Sequence, residues 1–344
     1  MRLLIEAANV TVAIEDGHIV EPSGRFDRVI DIREGEIRPG LINAHDHLHR
    51  NHYGRLGTPP YANAYDWAAD IQTRFASRIA QGRQRPRREA LLWGAWKNLL
   101  SGVTHVVHHD PWEADFDLDF PINAVRIANA DSIGRAPDFL RPENGPYALH
   151  VAEGTDPAAA QEVRALQARD LLTGDLLAVH LVGPDAHGME RLRACGCAMV
   201  WCPTSNHFLF GRTAPDALFA DGMDILLGSD SLLTGAGTLL DELRLASRYL
   251  PHSRALSSVG SVAARRLAIA EPTLEIGAIA DLAVFRRSLP HAELADVALV
   301  MAKGKLRVLD SGFLPMAGVS SGRSIEWRGV RRWIDDGDTD LPIV

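Results

Sequence analysis

The sequence predicts an α/β protein: a (β/α)8-type TIM barrel with an abbreviated fourth βα unit, plus a small β-sandwich built from both termini. Three observations carry this expectation. Short apolar runs alternate with helical stretches through the middle of the chain, as in a parallel sheet with crossover helices. His45/His47, His108/His109, His150, His180 and Asp230 each follow one of those runs. Polar residues gather in that way at the C-terminal rim of a barrel, whereas a doubly wound sheet collects them only at its switch point. Finally, strand-like segments occur at both ends of the chain, too few at either end to hold together alone.

The elements follow in order. Val10–Ile14 alternates in part, Glu15-Asp16-Gly17-His18 reads as a hairpin turn, and Ile19-Val20 resumes the strand. Residues 1–38 are therefore expected to form the N-terminal part of the sandwich. Residues 39–272 are the expected barrel. Pro86-Arg87-Arg88-Glu89 opens a helix with proline at a tolerated position. Leu92, Trp96, Leu99 and Leu100 form its apolar face, and Gly102 suits its stop. Val103–Val107 reads as a buried strand. Further strands are expected at Ile122–Ala128, Tyr147–Val151, Leu176–His180, Ala198–Trp201 and Ile225–Leu227, with helices at Ala158–Leu172 and Met189–Ala194. Asp131–Pro146 is too short for a strand–helix pair, hence the abbreviated fourth unit. Residues 273–344 are the expected C-terminal part of the sandwich, with strands at Asp281–Phe285, Val297–Met301 and Leu306–Leu309 and a turn at Lys303-Gly304-Lys305.

Composition narrows the function. The 344 residues carry a net charge of −8, which argues against general nucleic-acid binding. The cluster Arg83, Arg85, Arg87 and Arg88 has no interleaved aromatics and reads as a solvated helix start. No segment reaches the roughly 18 apolar residues of a membrane span, and Glu6 interrupts any leader-like start. Cys195, Cys197 and Cys202 form no disulfide framework and read as buried thiols. A soluble cytoplasmic protein acting on a small molecule is expected, with a homo-oligomer left open. Lys97, Lys303 and Lys305 are the only lysines.

The chemistry centres on Pro39-Gly40-Leu41-Ile42-Asn43-Ala44-His45-Asp46-His47. Residues two apart on a strand share a face, so His45 and His47 project side by side. Imidazole pairs suit Zn, Fe, Ni or Cu rather than Mg or Ca. Tyr147–His150 and Leu176–His180 each end an apolar run in a histidine, and Ile225–Asp230 ends one in an acid. Three histidines and an aspartate suit a zinc or iron shell, with a carboxylate and a further imidazole beside it for proton transfer.

At this point the chain resembles the amidohydrolase superfamily, in its branch of cytosine/guanine deaminases, S-adenosylhomocysteine deaminases and triazine hydrolases. Pro39–His47 is similar to the first-strand motif, and His150-Val151-Ala152-Glu153 to the fifth-strand HxxE. His180 matches the sixth-strand histidine, Pro203-Thr204-Ser205-Asn206 a PxSN stretch, and Gly228-Ser229-Asp230 the eighth-strand aspartate. Glu275-Ile276-Gly277 and Ala280–Val284 resemble the return into the terminal sandwich. The resemblance implies one divalent metal per chain, Zn or Fe, held by His45, His47, His150 and Asp230. Catalysis would fall to Glu153, His180 and Asp230. Asp230 would take a proton from the attacking water, Glu153 would protonate a ring nitrogen or the leaving group, and His180 would polarise the electrophile. The implied reaction is hydrolytic deamination of a small nitrogen heterocycle by a metal-activated water. Amide or other C–N hydrolysis is the neighbouring reading, and a silent barrel used for assembly the contrasting one. Some relatives bridge two metals with a lysine on the fourth strand; no lysine lies between Lys97 and Lys303.

The spacing departs from that branch between His47 and His150, where the pocket is usually built. His49, Arg50, His52 and Arg55 are candidates for an anionic substrate group, Tyr61, Tyr65 and Trp67 for an aromatic wall, and His108 and His109 for substrate contact.

Overall fold

The computed structural model describes residues 1–220, 222–319 and 321–336. It opens with β1 (Arg2–Ala7), β2 (Thr11–Glu15), β3 (His18–Val20) and β4 (Arg28–Ile32), a four-stranded sheet in the order β3-β2-β1-β4. Asp16 and Gly17 both have positive φ, +48° and +82°. That is the primed turn whose twist suits a hairpin. Next come β5 (Glu36–Pro39), β6 (Leu41–Asp46), α1 (Ala64–Arg74), α2 (Ala76–Gly82) and α3 (Arg87–Leu99). The chain continues through β7 (Val103–His108), β8 (Asn123–Val125), β9 (Ala128–Ala130), β10 (Tyr147–Val151) and α4 (Pro157–Ala168). There follow β11 (Leu176–His180), α5 (Ala186–Cys195), β12 (Ala198–Trp201), α6 (Pro203–Phe210) and β13 (Ile225–Leu227), then α7 (Leu239–Ala246), α8 (His252–Ser257) and α9 (Ser261–Arg266). The last elements are β14 (Leu282–Phe285), β15 (Val297–Ala302), β16 (Lys305–Leu309), α10 (Leu314–Ala317), β17 (Arg323–Trp327) and β18 (Val330–Ile334).

The strands at the two ends of the chain meet. β5 pairs antiparallel with β14, Val284 opposite Ile37, within the six-stranded sheet β17-β18-β16-β15-β14-β5. His18 bridges to Ile279. Leu3, Ile5, Val12 and Ile30 of the first sheet share one core with Leu282, Val284, Leu299 and Met301 of the second. The sequence reading missed β17 and β18. Its expected strands stopped at Leu309, although Arg323–Trp327 alternates in burial.

The parallel strands form two sheets, β6-β7-β8 and β13-β12-β11-β10-β9. Their alternate residues converge on a common apolar cluster that includes Ile42, Val107, Val125, Ala148, Val179, Val200 and Leu226. The intervening Leu149, Ala178, Met199 and Trp201 pack on the other face, with Leu91 of α3, Val163 of α4 and Leu243 of α7. Such strands are apolar on both faces because both are covered.

Two expectations need correction. Ile122–Ala128 is not one strand: Arg126 and Ile127 separate β8, which pairs with β7, from β9, which pairs with β10. The bend lets one short segment bond to a neighbour in each sheet. The helices expected at Ala158–Leu172 and Met189–Ala194 run over Pro157–Ala168 and Ala186–Cys195, capped by Asp156 and Asp185. Residues 131–146 contain neither helix nor strand, so no strand–helix pair separates β9 from β10. Among the described residues, no helix is long and apolar enough to cross a membrane.

Candidate metal centre

β6 aims His45 and His47 towards the ends of β10 and β11, where His150 and His180 stand. The ring centroids of His45 lie 5.0 Å from His47, 5.1 Å from His150 and 5.6 Å from His180. Gly228 permits the last parallel strand to approach: a Cβ there would lie 2.5 Å from that of His45. Asp230 follows, its N–H donating to the carbonyl of His45 at 3.1 Å. His180 and Asp230 have φ of +75° and +51°. Non-glycine residues hold that conformation only when the surroundings impose it, which is common at functional sites.

Each inward imidazole except His45 is held from outside. His47 Nδ1 lies 2.6 Å from Asp110 Oδ2, and Asp110 Oδ1 accepts from Arg50 at 3.0 Å. His150 Nδ1 lies 3.0 Å from Asp131 Oδ1, and His180 Nδ1 lies 2.9 Å from Asn206 Oδ1. With Nδ1–H donating outward, each Nε2 carries a lone pair for the centre. Both ring nitrogens of His45 are buried without a hydrogen-bond partner. An unmet buried polar group costs about 1–3 kcal/mol; a cation at this point would meet the ring nitrogen that carries the lone pair. His45, His47 and His150 bring ligand atoms within 4.8 Å of one another, as do His45, His180 and Asp230. The residues therefore fit a borderline cation such as zinc.

His49, His108 and Asp110 also bring ligand atoms within 4.8 Å of one another. The chemistry of this group is poorer. His108 Nδ1 accepts the Leu48 N–H at 3.2 Å, which leaves the proton of a neutral ring on Nε2. Asp110 already serves His47 and Arg50.

His109 is a fifth imidazole at the centre, 4.3 Å from His150 and 4.7 Å from His45 between centroids. Its Nε2–H donates to the Ala130 carbonyl at 2.7 Å, and its buried Nδ1 has no partner.

Burial sets the proton affinities. It holds His45, His47 and His109 well below the usual histidine range. Burial also lowers His150, but Asp131, Glu153 and Asp230 outweigh it and raise the ring overall. Asp230 is pushed up by burial and pulled further down by His180 and by donors. Those donors are Ser205 Oγ and Thr234 Oγ1 on Oδ2, each at 2.8 Å, and the Ser231 N–H on Oδ1 at 2.6 Å. Glu153 Oε1 lies 3.5 Å from His180 Nε2. Burial pushes Glu153 up to about 8, with Asp230 adding to the effect and His150 opposing it. Burial and His150 hold His180 below its usual range.

A cleft of about 590 Å³, open mouth included, leads to the centre. Its walls include Tyr65, Trp67, Asp131, Ser132, Arg135 and Glu162. Tyr65 Oη donates to Glu162 Oε1 at 2.7 Å, and Glu162 Oε2 accepts the Ala152 N–H at 2.7 Å.

Of the anion candidates, only Arg50 lines the cleft. His52 contacts the Gly82 carbonyl, and Arg55 bonds Gly235 O and covers Phe208. Tyr61 instead bonds Asp70. Neither His108 nor His109 lines the cleft. The PxSN stretch does structural work: α6 delivers Ser205 to Asp230 and Asn206 to His180. Asp110, Asp131, Glu162 and Lys97 were missed. Lys97 alone left a signal, as a rare lysine within an apolar helix face.

No protein-family model matches the chain. An aminodeoxyfutalosine deaminase from Deinococcus radiodurans is 34% identical over 117 residues, which are 33% of this chain and 28% of that protein. The matched part thus spans under a third of that relative's length. Among solved structures, an adenosine deaminase from Xanthomonas campestris with bound zinc superposes with a TM-score of 0.61 at 19% identity, over 89% of this chain and 93% of the other. A triazine hydrolase variant gives 0.67 at 19% identity, over 89% and 94%. Atrazine chlorohydrolase from Arthrobacter aurescens complexed with zinc gives 0.62 at 18% identity, over 88% and 94%. This chain has the fold of these deaminases and triazine hydrolases.

Proposed function

We propose that this protein is a metal-dependent hydrolase that deaminates a small nitrogen heterocycle. The observation that carries the reading is His45, its ring nitrogens buried and unpartnered among imidazoles whose outer nitrogens are already held. In this reading His45, His47, His150 and Asp230 hold one zinc or iron per chain. The cation supplies a Lewis acid and a water acidic enough to attack at neutral pH. Asp230 accepts the proton of the attacking water. Glu153, buried 3.5 Å from His180 Nε2, carries a proton towards the leaving nitrogen. His180, its Nδ1–H turned to Asn206, keeps Nε2 for the electrophile and for proton exchange with Glu153. Tyr65 and Trp67 flank a planar ring.

The two parallel sheets are read as one barrel of residues 39–272, with the bent β8–β9 segment as its third strand and the fourth unit absent. Residues 1–38 and 273–344 are read as the two parts of the terminal sandwich. A cytoplasmic location accords with three free thiols.

The test is ammonia release from a library of heterocyclic amines by zinc-loaded protein, with elemental analysis alongside. About one metal per chain and ammonia from at least one amine are expected. Metal without ammonia, but with turnover of amides, moves the reading to other C–N bonds. No metal retention removes it.

A further inference from the structure

Lys97 lies on α3 among Leu92, Trp96 and Leu99, and is buried to 2% exposure. Its ammonium has three protons and three acceptors: Asp46 Oδ2 at 2.8 Å, Ser229 Oγ at 3.0 Å and the Asp230 carbonyl at 2.8 Å. Asp46 sits between His45 and His47. Lys97 therefore ties the segment that carries two proposed ligands to the residue that supplies another.

Those segments have little else to hold them. Among the described residues no strand ladder joins β6 to β13. The direct ties are the Asp230 N–H to His45 O, the Ser229 N–H to Asn43 Oδ1 and Asn43 Nδ2 to Ser229 Oγ. Asn98, next on α3, donates to Asp46 Oδ2 at 2.7 Å, and Asn51 donates to Oδ1 at 3.0 Å. The Asp46 carboxylate is thus locked from every side, and Lys97 joins it across the seam to the Asp230 carbonyl. Its grip on the Asp230 carbonyl also holds a residue whose φ of +51° needs support.

We propose that Lys97 is a positioning residue of the metal centre. It sets the distance and orientation of Asp230 relative to the His45–His47 pair without touching metal or substrate. The inference rests on the metal reading above. Outer partners of metal ligands typically change affinity by 10–100-fold when lost, and that is the effect expected here.

Lys97→Met alone would strand a buried carboxylate and threaten folding. The informative variant is Lys97→Met with Asp46→Asn, which removes both charges. Zinc affinity is measured by competition with a chromophoric chelator, geometry by the visible spectrum of the cobalt-substituted protein, and folding by Tm. We expect a zinc Kd raised about 10–100-fold and shifted cobalt bands, with wild-type protein binding tightly. Wild-type affinity and bands in the double variant would overturn the proposal and leave the pair a structural one. If wild type itself binds no zinc, the metal reading falls and this inference with it. Should the double variant not fold, Ser229→Ala decides: it removes one Lys97 acceptor without changing charge, and Asn43→Ala controls for the bond that the same hydroxyl accepts from Asn43. A smaller rise in Kd with shifted bands is expected, and wild-type values would again overturn the proposal.

Discussion

Strands β10 to β13 pair in continuous parallel register, and each is followed by a helix, whereas β7, β8 and β9 succeed one another through loops. Both regions serve the same centre by different means. On the regular side His180 ends its strand and Glu153 and Asp230 lie just beyond theirs, and α6 steadies two of the three through Asn206 and Ser205. On the loop side the partners come from irregular backbone: Asp110 after β7, Asp131 after β9, and the Ala130 carbonyl. The comparison teaches a division of labour. Regular strand–helix units present the groups proposed to handle protons, and loops hold the outer nitrogens of His47, His150 and His109.

That division can be broken by mutation. The largest effect is expected on the regular side. Glu153→Gln preserves shape but cannot relay a proton, so kcat should fall by roughly 10²–10⁴ with metal content at the wild-type level. Normal turnover would make Glu153 structural and leave the proton path to Asp230 and His180.

On the loop side the expected signature is reversed. Asp110→Asn and Asp131→Asn each remove a carboxylate that orients an imidazole, so zinc retention should drop by about 10–100-fold. Asn206→Ala, the matching change on the regular side, should lower turnover while zinc retention holds. Chelator competition beside kinetics separates the patterns; equal loss of zinc in all three variants would erase the distinction.

The effect farthest from the chemistry is on stability, at the foot of the loop side. Asp281 accepts from Asn123 of β8 and from the Lys303 N–H, yet burial raises its carboxyl to about 6. The folded chain then binds this proton more tightly than the unfolded chain does. The term therefore weakens stability as pH rises from about 4 to about 6 and is constant above that, by at most about 3 kcal/mol. Asp281→Asn should flatten the difference. Denaturant titrations of both proteins at pH 4 and pH 7 measure it, and parallel stability curves would contradict the assignment.

Much of this architecture was legible in the residues. Tyr147–Val151, Leu176–His180, Ala198–Trp201 and Ile225–Leu227 were bounded correctly because strands covered on both faces are near-continuous apolar runs. The missing strand–helix pair between β9 and β10 followed from chain length alone. β17 and β18 escaped because Arg323–Trp327 and Val330–Ile334 mix charged residues with apolar ones at the edge of a sheet.

The sequence by itself determined which imidazoles and carboxylates stand at strand ends, because strand periodicity orients a side chain locally. Only the tertiary structure decided what holds them. Asp110 approaches His47 across 63 positions, Lys97 reaches Ser229 across 132, and Asn43 meets Ser229 across 186. No local pattern encodes such pairs. They form when burial removes water and leaves each polar group the one partner within reach.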